Sequence, residues 1–301
     1  MLGLRPLPDI ELPASRDKLL ERAIARRVRS SFEDPDAARE AASGAWERSA
    51  DLLTFYDVVD DEQVVGWLAW WHKGDQCEVN DLTLDDPARG AELLPAVLEL
   101  TRAAGCPMVG VSTVPGEPER EALADLDGFV RRATNMALPL DGEIGDPNGL
   151  ELREMTQAEF DSYISESTEQ YIGELAASGM TDKDARLQGE QQMAELVPSG
   201  LGSPGQTFFT AWVGDTAVGV FWVSTEHPLA FVYDIAVHED QRRKGYGEAI
   251  MNAGARWCRD LGHPALGLNV FGHNPGARAL YDKLGYHVTR DFRTHDVADG
   301  S

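Results

Sequence analysis

The chain has 301 residues, more than the usual single domain of about 100–200, so two domains are expected. Asp and Glu outnumber Lys and Arg by 51 to 27, and the net charge of −24 repels nucleic acid and anionic membrane while attracting cationic solutes. Met1–Pro6 opens no apolar run fit for a signal peptide, and the longest apolar stretch, Val64 to Trp71, is far short of a membrane span, so a cytoplasmic globular protein is expected.

In chain order, the basic run Arg26-Arg27-Val28-Arg29 reads as the solvated face of a helix. Val64-Val65-Gly66-Trp67 opens a strand, and Trp67, Trp70 and Trp71 read as its core packing rather than a ligand cavity. Asn80 to Leu84 is a second strand, Pro95 to Ala104 a helix and Val109 to Val114 a strand. The turn-formers of Asp141 to Gly149 mark a linker between a domain over 1–140 and another over 150–301. Thr207 to Val213 and Thr216 to Val223 are strands joined by the hairpin signal Gly214-Asp215. Ala230 to Val237 is a strand and Glu248 to Leu261 a helix stopped by Gly262. Ala265 to Phe271 is a strand. Asn274 caps a short helix with Pro275 at its first position and Gly285 past its end, and His287 to Thr294 closes as a strand.

The two halves repeat one order of elements. Val64-Val65-Gly66-Trp67 aligns with Ala217-Val218-Gly219-Val220, and Asn80-Asp81-Leu82-Thr83-Leu84 with Tyr233-Asp234-Ile235-Ala236-Val237, at a constant offset that argues for duplication. The first copy has lost the second copy's distinctive residues. Asp85-Asp86-Pro87-Ala88-Arg89-Gly90-Ala91 stands where the second copy has a basic turn with two glycines, and Ala124 stands where Tyr281 stands.

That basic turn, Arg242-Arg243-Lys244-Gly245-Tyr246-Gly247, follows a strand and opens a helix. Glycines let backbone approach phosphates, a helix start offers free N–H groups, and arginine adds fixed charge, so the turn suits a pyrophosphate. It is neither a P-loop nor a GxGxxG fingerprint. Arg242-x-x-Gly245-x-Gly247 resembles the acetyl-CoA motif of the GNAT superfamily of N-acyltransferases. Asn274-x-x-Ala277-x-x-Leu280-Tyr281-x-x-x-Gly285-Tyr286 resembles that family's later motif. The resemblance covers roughly residues 150 to 295. It implies an α/β fold of two tandem GNAT-type domains, each a mixed, mostly antiparallel sheet flanked by helices, with the first degenerate, as in bacterial two-domain members.

The resemblance also assigns roles. The turn residues Arg242, Arg243, Lys244, Gly245, Tyr246 and Gly247 bind the pyrophosphate of acetyl-CoA, the co-substrate. The backbone of Ile235, Ala236 and Val237 binds the pantetheine arm, with an N–H polarising the thioester. Asn274 caps its helix and contacts the cofactor, and Tyr281 protonates the departing thiolate, although it also sits on a packing stripe with Ala277, Leu280 and Leu284. An amine acceptor must shed a proton, and Asp234 is the candidate base, with Glu226, His227, Glu166 and Glu174 as rivals. The segment Tyr163 to Gln206, acidic with Tyr163 and Tyr171, points to a cationic small-molecule amine such as an antibiotic, amino sugar or polyamine. The alternatives are acetylation of a protein N-terminus or lysine, and a non-catalytic acyl-CoA-binding regulator. A homodimer stays open. Cys77, Cys106 and Cys258 read as reduced thiols, and the seven histidines form no ligand spacing, so no metal is expected.

Overall fold

The computed structural model describes residues 2–7, 12–177 and 180–297. The first half runs β1 (Leu2–Pro6), α1 (Leu12–Ser31), α2 (Pro35–Ser49), β2 (Leu53–Asp60), β3 (Gln63–Lys73), β4 (Gln76–Leu84), α3 (Leu94–Ala103), β5 (Met108–Thr113), α4 (Pro118–Ala124) and β6 (Phe129–Pro139). The second runs β7 (Leu150–Glu154), α5 (Gln157–Ala177), α6 (Asp182–Leu196), β8 (Gln206–Val213), β9 (Thr216–Ser224), β10 (Leu229–Val237), α7 (Tyr246–Asp260), β11 (Ala265–Phe271), α8 (Pro275–Lys283) and β12 (His287–Asp296). Among the described residues no helix is long and apolar enough to cross a membrane.

The chain forms two compact units. One joins Met1–Ala137 to Asn269–Ser301, and the other is Leu138–Leu268. This differs from a division at 141–149, and strand pairing gives the reason. β12 lies between two strands of the first half, antiparallel to β5 through Asp291–Asp296 and antiparallel to β6 through His287–His295. The first unit orders its strands β1-β2-β3-β4-β5-β12-β6, and the second orders them β11-β10-β9-β8-β7. Each sheet is mixed and mostly antiparallel, with one parallel pair, β4·β5 or β10·β11, and each is flanked by helices.

Apolar alternation along the strands places each core. In the first unit Leu68, Val79, Leu82, Val97, Val109 and Leu123 are fully buried between sheet and helices. In the second, Phe160, Phe208 and Trp222 centre one cluster, and Ile250, Ala255 and Cys258 bury the inner face of α7. Burial pushes the Cys258 thiol up to about 12, so it stays protonated and inert.

The duplication extends to irregular features that composition could not dictate. The β3·β4 pairing shifts register so that Asn80 is an extra residue, and the β9·β10 pairing does the same at Tyr233, its aligned counterpart. The parallel pair β4·β5 ends at Val79, and β10·β11 ends at the aligned Val232. Gly66 and Gly219 are aligned as well. A Cβ on either would meet a carbonyl oxygen of the next strand, of Thr83 or of Ala236, so both must stay glycine.

Two expectations are corrected. Arg26 is buried, not solvated, because α1 turns it onto Asp81 of β4. Cys77 and Cys106 form a disulfide with a Cα separation of 6.3 Å, since β4 and the end of α3 bring together thiols that are far apart in sequence. His72 lies beside them, with the three ligand atoms within 4.8 Å, a grouping made by the β3–β4 turn rather than by any spacing motif.

Candidate functional site

The bulge at Tyr233 sets the geometry of the second unit. Below it β10 is paired on both sides; beyond it, from Asp234 to Val237, the described pairing is to β9 alone. His238 donates its N–H to the Val218 carbonyl at 3.0 Å. In an antiparallel ladder such residues alternate, so Asp234 and Ala236 turn their backbone groups to β9, and Ile235 and Val237 turn theirs to the open edge. This edge is the place assigned to the pantetheine arm. The sequence could read the strand but not the bulge.

The basic turn follows directly. Glu239–Gln241 form one 3-10 turn, Arg242 is extended and Arg243 takes φ 65. Gly245 takes φ 85 and ψ 0 as the residue before α7. Two left-handed residues within three make the concave run of N–H groups that suits an anion, and non-glycine residues adopt that conformation reluctantly. Gly245 has no side chain to cap α7, and nothing lies within 4 Å of where its Cβ would stand. Arg242, Arg243 and Lys244 are exposed, with Arg242 Nε donating to the Val237 carbonyl at 3.3 Å and Lys244 Nζ to Gln241 at 2.9 Å. Open space at Gly245, a helix start and three exposed cations fit a pyrophosphate, which would bind by backbone N–H groups and guanidinium.

Asp234 is half-buried, and its Oδ2 accepts a hydrogen bond from the Tyr163 hydroxyl at 2.9 Å. Burial, then the charge of Asp234, hold the Tyr163 phenol well above its usual range, so it stays protonated and donates. Around this pair runs an aromatic shelf. Tyr163 packs on Phe208, Phe208 on Trp222, and Trp222 stacks on Tyr233 at 4.9 Å. The bulge leaves Tyr233 exposed, and its phenol is raised by burial and by Glu226 nearby. Of the rival bases, Glu226 and His227 are exposed, Glu166 accepts from Ser162 at 3.3 Å, and the side chain of Glu174 lies outside the described residues. Part of the acidic character of α5 and α6 is internally neutralised, since Arg186 pairs with both Glu169 and Glu190.

Asn274 and Tyr281 belong to the first compact unit with α8. Asn274 caps α8, its side chain accepting from Ala277 N–H at 3.1 Å. Tyr281 is buried, its ring 5.7 Å from that of Tyr286. Ala277, Leu280 and Leu284 are half-buried on the same stripe, so packing and chemistry are both open to this side chain.

The first copy keeps the strand geometry and fills it. Arg22 of α1 donates to the Leu82 carbonyl at 3.1 Å, and Arg120 of α4 donates to the Asn80 carbonyl at 3.0 Å. Leu82 is the counterpart of Ile235 on the open edge. Arg22 and Arg26 also bind Asp81, the fully buried counterpart of Asp234, and Glu117 joins Arg26 to Arg120. Guanidinium groups thus take the edge of β4 that β10 leaves open. No spacing in the sequence ties Arg22 to Leu82; the fold alone joins them.

Residues 165–286 match the model of the Acetyltransferase (GNAT) family. An uncharacterized N-acetyltransferase of Bacillus subtilis, YycN, is 34% identical over 144 residues, covering 46% of this chain and 92% of that protein. A mycothiol acetyltransferase of Rhodococcus jostii is 25% identical over 284 residues, covering 89% of each chain. A crystal structure of a GCN5-related N-acetyltransferase from Sphaerobacter thermophilus superposes with a TM-score of 0.53 at 18% identity, over 98% of this chain and 96% of that one.

Proposed function

Because the chain belongs to the GNAT acetyltransferase family and is an acyl-CoA-dependent N-acetyltransferase, we propose that it moves the acetyl group of acetyl-CoA to a primary amine of a cationic small molecule in the cytoplasm. The observation that carries this reading is the bulged, one-sided edge of β10 running straight into the open left-handed turn at Gly245. The second copy, 150–301, supplies the reacting residues, and the first, 1–140, supports the fold.

The reaction is direct attack within a ternary complex. Arg242, Arg243 and the N–H groups at the start of α7 hold the pyrophosphate. Backbone N–H groups of the Ile235–Val237 edge polarise the thioester carbonyl as negative charge develops on its oxygen. Asp234 takes the proton of the acceptor ammonium, directly or through water, which frees the nitrogen lone pair to attack. The new C–N bond forms, the C–S bond breaks, the Tyr281 hydroxyl gives its proton to the leaving thiolate, and the second proton of the acetylated nitrogen passes through water to restore the Tyr281 hydroxyl. Asn274 braces α8 against the cofactor.

A thiol-release assay over a panel of diamines, polyamines, amino sugars, aminoglycosides and peptides tests the reading. Release of CoA with a cationic small amine supports it, release with peptides alone turns it to the protein-acetylating alternative, and tight CoA binding without turnover turns it to a regulator. A second reading, mycothiol acetyltransferase activity, is favoured by relatives of that name that span most of the chain.

Two expected results follow at the cofactor. Calorimetry on the whole chain gives one acetyl-CoA site, because guanidinium groups occupy the edge of β4; two equal sites would show that the first copy is not closed. Gly245→Asp weakens acetyl-CoA binding by about 100-fold, since a like charge in such a site costs several kcal/mol. Gly245→Asn is the control, because Asn and Asp both tolerate the left-handed conformation. Equal affinity in the two variants would mean the phosphates bind elsewhere.

A further inference from the structure

We infer that Tyr163 is a positioning residue for the acceptor half-reaction, its hydroxyl holding the Asp234 carboxylate. This rests on the reading of Asp234 as the group that takes the acceptor's proton.

Two observations carry it. The Tyr163 hydroxyl reaches Asp234 Oδ2 at 2.9 Å, across 71 residues of sequence, from a helix onto the strand edge just past the bulge. The Tyr163 ring is fixed against Phe208, itself 1% exposed, so the phenol cannot swing away without disturbing the core.

A donor that stays protonated at working pH holds one carboxylate oxygen and therefore constrains the orientation of the group. Orientation of a reacting group to within a fraction of an ångström is what proximity catalysis requires. The first copy shows the structural version of the same contact. There Asp81 is held by Arg22 and Arg26 from α1, and two guanidinium charges cancel the carboxylate. In the second copy α5 brings a neutral phenol to the matching carboxylate, and that contact itself adds no cation to repel an ammonium.

The experiment is a double-mutant cycle on the full chain, read by CoA release with the best amine of the panel. Tyr163→Phe keeps the ring and its packing on Phe208 and removes only the hydroxyl. It is expected to lower kcat/KM for the amine on the order of 100-fold, with KM for acetyl-CoA and the melting temperature unchanged. In the background of Asp234→Asn, Tyr163→Phe is expected to have no further effect, because it acts only through that carboxylate. Wild-type rates in Tyr163→Phe, or losses that simply add in the double variant, overturn the positioning role while leaving the transferase intact. A wild-type chain that releases CoA with no amine is a different result, and it removes both readings together.

Discussion

Tyr281→Phe should lower turnover by about 100- to 10,000-fold, the usual contribution of a general acid, while KM for acetyl-CoA stays nearly constant. The substitution keeps the buried ring beside Tyr286 and the half-buried stripe of Ala277, Leu280 and Leu284, so the packing of α8 is preserved. What it removes is a proton source for the thiolate. A phenol with pKa about 10 delivers a proton to a thiolate of pKa near 8.5 only when it is held in place, and burial on a helix stripe holds it. Loss of a buried hydroxyl costs stability about 0.5–1.5 kcal/mol, so melting curves should nearly coincide. A group that acts only in the transition state lowers kcat and kcat/KM together. Wild-type turnover under conditions where chemistry limits the rate would make Tyr281 a core aromatic and nothing more.

The second large effect concerns the chain as a whole. A fragment of residues 150–301 should not fold into an acetyl-CoA-binding protein, although it holds both motifs. Both ladder partners of β12 lie in the missing half, β5 on one side and β6 on the other. The fragment would also lose two ligands of Asp291, Arg131 Nε at 2.8 Å and the Thr134 hydroxyl at 2.6 Å, keeping only Arg293 of β12 itself among those described. A strand with two open edges invites aggregation. Co-expression with residues 1–149 should recover soluble, binding-competent protein. A monomeric fragment that binds acetyl-CoA with the affinity of the whole chain would show that β12 is dispensable.

Sequence patterns carried the local structure well. The strands at 206–213, 216–224 and 229–237 and the helix at 246–260 lie within a few residues of their expected bounds, because apolar alternation, Gly214 and Gly262 are local signals. The family and the tandem fold were legible too, from Arg242-x-x-Gly245-x-Gly247 and the Asn274-to-Tyr286 motif. Three things were not. The placement of β12 depends on which strand edges remain free after the first half has formed, and periodicity carries no information about partners. The Tyr163–Asp234 contact joins a helix to a strand with no spacing rule between them. A basic run on a helix is ordinarily solvated, and the burial of Arg26 follows instead from a carboxylate on β4 that only the fold brings near.

The guanidinium network over β4 also bears on the history of the duplication. Arg22, Arg26 and Arg120 share Asp81, Glu117 and Glu119, so each charge is stabilised by several others. Removing Glu117 leaves Arg120, 2% exposed, without its ion-pair partner, at a cost of about 3–5 kcal/mol, a large fraction of the stability of a domain. Reopening the edge would require several arginines and acids to change together. The first copy is therefore held in its closed state by stability alone. Its retired binding edge became an ion cluster that the rest of the unit now depends on, and drift cannot return it to service one residue at a time.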